Sequence, residues 1–247
     1  MRAHRSRPCP IPRGDSRLFA IALLRAAQHR GLNTDTLKAA VLTACLVHGQ
    51  QQRSADGRPY VMHPLQVALL VCRWHAPEDD VLAAVLHDTA EDADVGPAEM
   101  LGALADLFGL GVAQRVSALT KNRLISCSEA RSGDHVARLL EAAEDLGPGV
   151  LAIRLADRLH NCITSAHFDA ARLQRLQAHT LQHVVPLARR LQLPAVADFL
   201  SSPPSTWHSV PVLHFVPEML RVQPAWFGDP VPMGRRPDEA NAVALQC

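Results

Sequence analysis

From about residue 16 to residue 200 the chain carries a helical pattern almost without a break, and nothing in that stretch reads as a strand. β-Branched and aromatic residues are sparse, and no clear apolar/polar alternation of period two is found. This restricts the fold to the all-α class. The spacing predicts helices over 16–29, 34–52, 64–75, 78–92, 97–107, 110–119, 129–145, 149–165, 169–191 and 194–200. Asn33 and Asp35 are both suited to cap the second helix, and Pro64 suits the first turn of the third. Asp56-Gly57 and Gly147-Pro148-Gly149 mark turns.

Three segments are expected: a Pro- and Arg-rich arm over 1–14, a helical domain over 15–200, and a tail over 201–247. The tail holds Trp207, Trp226, Phe215 and Phe227 among prolines that interrupt any helix. The apolar stretch Leu18–Leu24 follows Arg2, Arg5, Arg7 and Arg13, as in a secretory signal. Arg25 interrupts it, however, and no small-residue cleavage site follows, so an amphipathic first helix is the better reading. No run is long enough to span a membrane. The formal net charge of +1 gives no general signal for nucleic acid. The six cysteines are scattered without a C-x-x-C pair, which fits a reducing cytoplasm and argues against a zinc ribbon.

The chemistry concentrates in Val81–Asp92, where His87-Asp88 ends an apolar run and Glu91-Asp92 follows. Burying such groups is costly unless a cation or other partners compensate. On one continuous helix, His87 and Glu91, and likewise Asp88 and Asp92, would share a side and project towards one cavity. In Val150–Thr164 the residues Asp157, His160, Asn161 and Thr164 form a polar stripe at i, i+3, i+4 and i+7, and the opposite side is apolar and would face the core. His63 stands just before a helix start, where it can point into a cleft. His63, His87, Asp88 and Asp157 together offer two imidazoles and two carboxylates without a thiolate. That set suits a hexacoordinate divalent ion such as Mn²⁺ with open water positions, rather than structural zinc.

The chain resembles the HD-type hydrolase domain of the RelA/SpoT alarmone enzymes and the small alarmone hydrolases. The resemblance rests on His48–Arg53, Gly57–Pro64, Leu86–Asp92, Phe108-Gly109, Leu119–Lys121 and Ile153–Asn161, with a weaker echo over Thr180–Arg190. It implies an HD-domain helical bundle in which His63, His87, Asp88 and Asp157 hold Mn²⁺. It also implies that Glu91 and Asp92 orient and deprotonate the attacking water or shuttle its proton, that Arg53 lies over the purine, and that Asn161 and Thr164 contact ribose and phosphate. The implied reaction removes the 3′-diphosphate of (p)ppGpp as pyrophosphate, leaving GDP or GTP. Two departures stand out: Ser54-Ala55 where the family often has Lys-Ser, and Cys162-Ile163 where it often has Met-Arg. Lys121 is counted with the substrate contacts, and Arg123 and Arg131 are the other cations available to compensate. Residues 201–247 are too few and too Pro-rich for a synthetase domain, so a hydrolase without a synthetase is expected. Two alternatives stand beside it: the same chemistry on another nucleotide such as NADPH, and a non-catalytic alarmone-binding regulator. The expected partner is the small-molecule nucleotide, with no nucleic acid and no membrane. The oligomeric state, a homo-oligomer included, is open.

His48 and His160 read as supporting residues rather than ligands. Arg154 and Arg158 read as solvated or salt-bridged. His75, His167, His179 and His183 read as ordinary surface residues of helices.

Overall fold

In the computed structural model, which describes residues 14–53, 57–121 and 127–209, helix α3 (Met62–Arg73) is buried along its length from Met62 to Cys72. A helix that is apolar on every side must be covered on every side. Three others cover it: α1 (Asp15–His29), α4 (Glu78–Leu86) and α9 (Gly149–Ile163). Helix α2 (Thr34–His48) packs on α1 and α4. The pair α6 (Pro97–Phe108) and α7 (Leu110–Leu119) folds back on itself, and α7 reaches α4. Helix α8 (Ser128–Leu146) lies on α7 and α9, and α10 (Ala170–His179), α11 (Val185–Arg190) and α12 (Pro194–Ser201) close the bundle. The described residues contain no strand, only one isolated antiparallel bridge between Gln52 and Pro59. No helix among them is long and apolar enough to cross a membrane.

Several expected boundaries move, each for a local reason. The second helix stops at His48 instead of running to 52. Beyond Gly49 the backbone pairs across a loop instead, Arg53 N–H with Arg58 C=O (2.9 Å) and Tyr60 N–H with Gln51 C=O (2.9 Å). Asn33, not Asp35, caps this helix, accepting from the N–H groups of Asp35 and Thr36. The third helix starts at Met62, so His63 sits inside its first turn rather than before it.

The helix expected over 78–92 is broken at His87-Asp88, leaving α4 and the single turn α5 (Thr89–Asp92). There the Thr89 hydroxyl donates to Leu86 C=O (2.6 Å) and His87 Nδ1–H donates to Ala84 C=O (2.9 Å). Side chains that bond local carbonyls in this way compete with the helical ladder. His87, Asp88, Glu91 and Asp92 therefore do not lie on one continuous helix as the spacing predicts.

The segment expected as one helix over 169–191 contains a widened π-turn, Thr180–Val184, between α10 and α11. Pro186 has no N–H to give and crowds the carbonyl one turn earlier, which accounts for the local unwinding. Beyond Pro203, where prolines were expected to prevent helix, Pro204 starts a short one, α13 (Pro204–His208). Trp207 on it is fully buried and donates its indole N–H to Phe199 C=O (2.9 Å). The expectations for residues 1–13, Ser54-Ala55, Arg123 and residues 210–247, with Phe215, Trp226 and Phe227, lie outside the described residues, as does the side chain of Arg131.

Candidate metal centre

Three elements deliver the four proposed ligands to one place. The first turn of α3 carries His63, the break between α4 and α5 carries His87 and Asp88, and the middle of α9 carries Asp157. His63 Nε2 stands 3.2 Å from Asp157 Oδ1 and 3.7 Å from Asp88 Oδ2, and His87 Nε2 stands 3.1 Å from Asp88 Oδ2. Ligand atoms of His63, His87 and Asp88 lie within 4.8 Å of one another. Both rings are almost wholly buried.

Hydrogen bonds decide which ring nitrogen each histidine presents. His87 Nδ1–H donates to Ala84 C=O, so Nε2 carries the lone pair. His63 is fixed by a longer chain. Arg53 Nη1–H donates to His160 Nδ1 (3.2 Å), which makes that nitrogen an acceptor. His160 Nε2–H then donates to Gln66 Oε1, and His63 Nδ1–H donates to His160 Nδ1 (2.8 Å). His63 Nε2 is left with its lone pair facing the carboxylates. Two imidazole lone pairs thus converge on two carboxylates, an arrangement that repels itself unless a cation stands among them. His87 Nε2 accordingly has no hydrogen-bond partner in its buried position. Metal-bound histidines characteristically anchor the opposite ring nitrogen in this way. A proton is the simplest such cation: burial opposes charge on His87, but the Asp88 carboxylate outweighs it and raises the ring's pKa. Burial would raise Asp88, yet the adjacent His87 holds it well below the ordinary carboxylate range.

The carboxylates are held as firmly. Tyr60 donates its hydroxyl to Asp88 Oδ2 (2.7 Å), and burial together with that carboxylate pushes the phenol pKa up. Arg154 Nη1–H binds Asp157 Oδ2 (2.6 Å), as its expected salt-bridged role requires, and Asn161 Nδ2–H binds Asp157 Oδ1 (2.6 Å). Arg53 Nη2–H completes the set on Asn161 Oδ1 (3.1 Å), so the guanidinium expected over a purine is anchored to α9.

The remaining expected residues spread around this cluster. Glu91 Oε1 accepts the backbone N–H of Lys121 (2.9 Å), with the Lys121 ammonium 3.8 Å away. Asp92 Oδ2 stands 3.8 Å from His48 Nδ1, whose proton goes to Gln51 Oε1 (2.9 Å). The two acidic side chains thus engage different partners, Glu91 at Lys121 and Asp92 beside His48. Thr164 is buried at the end of α9 and donates back to His160 C=O (2.8 Å). Cys162 and Ile163 face the core.

Tyr60 and Gln66 were missed as functional residues. Gln66 had a signal, as one polar residue in a buried apolar helix three positions after His63. Tyr60 had none beyond its place in the His63 segment. His179 and His183 are not ordinary surface residues. Their rings lie 4.8 Å apart, and both line a cleft beside the cluster. His179 Nδ1 accepts from Arg158 Nη2–H (3.0 Å).

A protein-family model described as "HD domain" matches residues 39–193, a span that contains every residue of the cluster. A guanosine-3′,5′-bis(diphosphate) 3′-pyrophosphohydrolase of Aquifex aeolicus is 35% identical over 144 residues, covering 58% of this chain and 20% of that protein. A GTP pyrophosphokinase of Myxococcus xanthus is 33% identical over 169 residues, covering 66% and 21%. A GTP pyrophosphokinase rsh of Brucella ovis is 32% identical over 188 residues, covering 72% and 24%. The chain therefore spans about a fifth to a quarter of the length of these relatives.

Proposed function

The chain belongs to the HD-domain family and is homologous to RelA/SpoT-type proteins, and from that premise we propose that it hydrolyses the 3′-diphosphate of (p)ppGpp, with Mn²⁺ as its metal, to GDP or GTP and pyrophosphate. The observation that carries the reading is the convergence of two Nε2 lone pairs, each fixed by a bond at the opposite nitrogen, on Asp88 and Asp157. His63, His87, Asp88 and Asp157 would hold the ion. The donor set of two imidazoles and two carboxylates, with no thiolate, suits Mn²⁺. A divalent ion held there lowers the pKa of bound water and polarises a phosphoryl oxygen.

The chain's own residues do the rest. Arg154 and Asn161 fix the Asp157 carboxylate, and Tyr60 fixes that of Asp88. Glu91 and Asp92 orient the attacking water and take its proton as its oxygen bonds to phosphorus and the P–O3′ bond breaks, and they pass that proton on to the departing 3′-oxygen. Arg53, anchored by His160 and Asn161, offers its guanidinium plane to the base. Asn161, Thr164 and Lys121 take the ribose and phosphates. The packed unit from α1 to α13 is the hydrolase domain.

The test is to incubate the purified chain with Mn²⁺ and ppGpp and follow GDP and pyrophosphate, with Asp88→Asn as the inactive control. NADPH, whose 2′-phosphate would yield orthophosphate, is run in parallel. Pyrophosphate from ppGpp supports the proposal; no turnover, or orthophosphate from NADPH alone, overturns it.

A further inference from the structure

Beside the cluster, and sharing Arg154 and Asn161 with it, lies a cleft of about 720 Å³. Lys121, Arg154, Arg158, Arg172 and Arg175 contribute five cationic side chains to its wall; Arg154 pairs with Asp157 and Lys121 stands near Glu91 behind it, and among the described residues no carboxylate lines the cleft itself. Gathering like charge around one space is unfavourable in itself and becomes favourable when a polyanion enters. The same positive field makes the cleft a poor place for a second cation, although three imidazoles, His135, His179 and His183, also line it.

His135 is the unusual member. It projects from α8 with 3% exposure, and neither Nδ1 nor Nε2 has a hydrogen-bond partner. Buried polar groups are almost always satisfied, and an unsatisfied one calls for an explanation. Burial first, then Arg154, Lys121 and Arg138, hold its pKa far below the ordinary histidine range. The ring is therefore neutral at physiological pH, with one N–H to donate and one lone pair. A ligand phosphate can take that N–H in a charge-assisted hydrogen bond while the surrounding guanidiniums balance its charge.

We propose that His135 is a specificity-determining residue, whose ring N–H binds a phosphate oxygen of a second phosphoryl group that the cleft holds apart from the metal cluster. The class of ligand is then a nucleotide phosphorylated at two positions, one group at the cluster and the other in the cleft. The identity of that ligand rests on the function proposed above; the anion site itself does not.

The probe is inorganic pyrophosphate, titrated calorimetrically into the full chain freed of metal by dialysis against a chelating resin. The native chain binds it. His135→Leu weakens binding by about tenfold or more, the value of a hydrogen bond to a charged acceptor, and Arg175→Gln weakens it as well. His135→Gln, which keeps a donor, stays within about threefold of native, and Asp88→Asn binds no more weakly than native. Absence of binding by the native chain overturns the proposal, and so does loss in Asp88→Asn with none in His135→Leu. A second readout needs no substitution: in histidine-selective NMR of the native chain, the His135 ring resonances move as pyrophosphate is added, and unmoved resonances refute the assignment. In turnover of a doubly phosphorylated nucleotide, His135→Leu raises KM by about tenfold with kcat within about twofold. Pyrophosphate binding without hydrolysis would retire the proposed reaction and leave this site standing.

Discussion

Replacing His160 by leucine separates a ring that orients a ligand from one that is a ligand. In the native chain His160 Nδ1 accepts the Nδ1 proton of His63 at 2.8 Å, and this bond keeps the lone pair on His63 Nε2. Without that acceptor, the carboxylates on the other side take over. Asp157 Oδ1 lies 3.2 Å and Asp88 Oδ2 3.7 Å from Nε2, and both attract the proton to that nitrogen. His63 then settles in the tautomer that cannot bind a metal, stabilised by a hydrogen bond to a charged group of about 1.5–3 kcal/mol. Metal binding must reverse that preference, so Mn²⁺ affinity falls by about 10- to 100-fold. Free Mn²⁺ measured by electron paramagnetic resonance reads this directly. His160→Asn, whose amide oxygen can stand where Nδ1 stood, recovers part of the loss. Affinity equal to native in His160→Leu refutes the tautomer chain. A loss as deep as in Asp88→Ala, with no recovery in His160→Asn, makes His160 a ligand.

Three further outcomes probe the frame that holds the site. A Cβ at Gly149 would overlap the buried Asp80 carboxylate, which pairs with Arg115 Nε at 2.6 Å, so Gly149→Ala costs more than about 3 kcal/mol in urea unfolding. Gly102→Ala in exposed α6, where a Cβ meets nothing within 4 Å, instead gains about 0.5–1 kcal/mol; equal effects at the two glycines contradict the packing described. Trp207→Ala costs about 3–5 kcal/mol if α13 is part of the folded unit, and a loss under about 1 kcal/mol would show that it is not. His135 is held down to about 2 in the folded chain against an ordinary 6.5, so the unfolded chain binds one proton more between those values. Stability is therefore present above pH 6.5 and lost as pH falls below it. His135→Gln lowers the slope of unfolding free energy between about pH 5.5 and pH 4 by about 1.4 kcal/mol per pH unit; an unchanged slope contradicts a neutral buried ring.

The helical frame was legible because most helices announce themselves in their own residues. The apolar spacing of 97–107, 110–119 and 149–165 reproduces α6, α7 and α9 to within two residues at either end. The stripe Asp157, His160, Asn161 was visible because the opposite side of α9 is apolar, and the structure joins all three to His63 directly or through one partner. The break at His87-Asp88 was not legible, since side-chain bonds to Ala84 and Leu86 carbonyls decide it, and periodicity does not register them. The π-turn had a visible cause in Pro186, but the pattern on both sides reads as one helix. Tyr60, Gln66 and His135 take their meaning from contacts with residues 28 to 94 positions away or from a cleft wall, which no local signal carries.

The proposed hydrolysis depends on one metal ion held by two imidazoles and two carboxylates. Crystals of the chain grown with Mn²⁺, with diffraction recorded on both sides of the manganese absorption edge, test it most directly. One anomalous peak is expected, bounded by Nε2 of His63, Nε2 of His87 and a carboxylate oxygen each of Asp88 and Asp157. A peak bound through His160 or through Glu91 and Asp92 without His63 and His87, or no peak at saturating Mn²⁺, would contradict it.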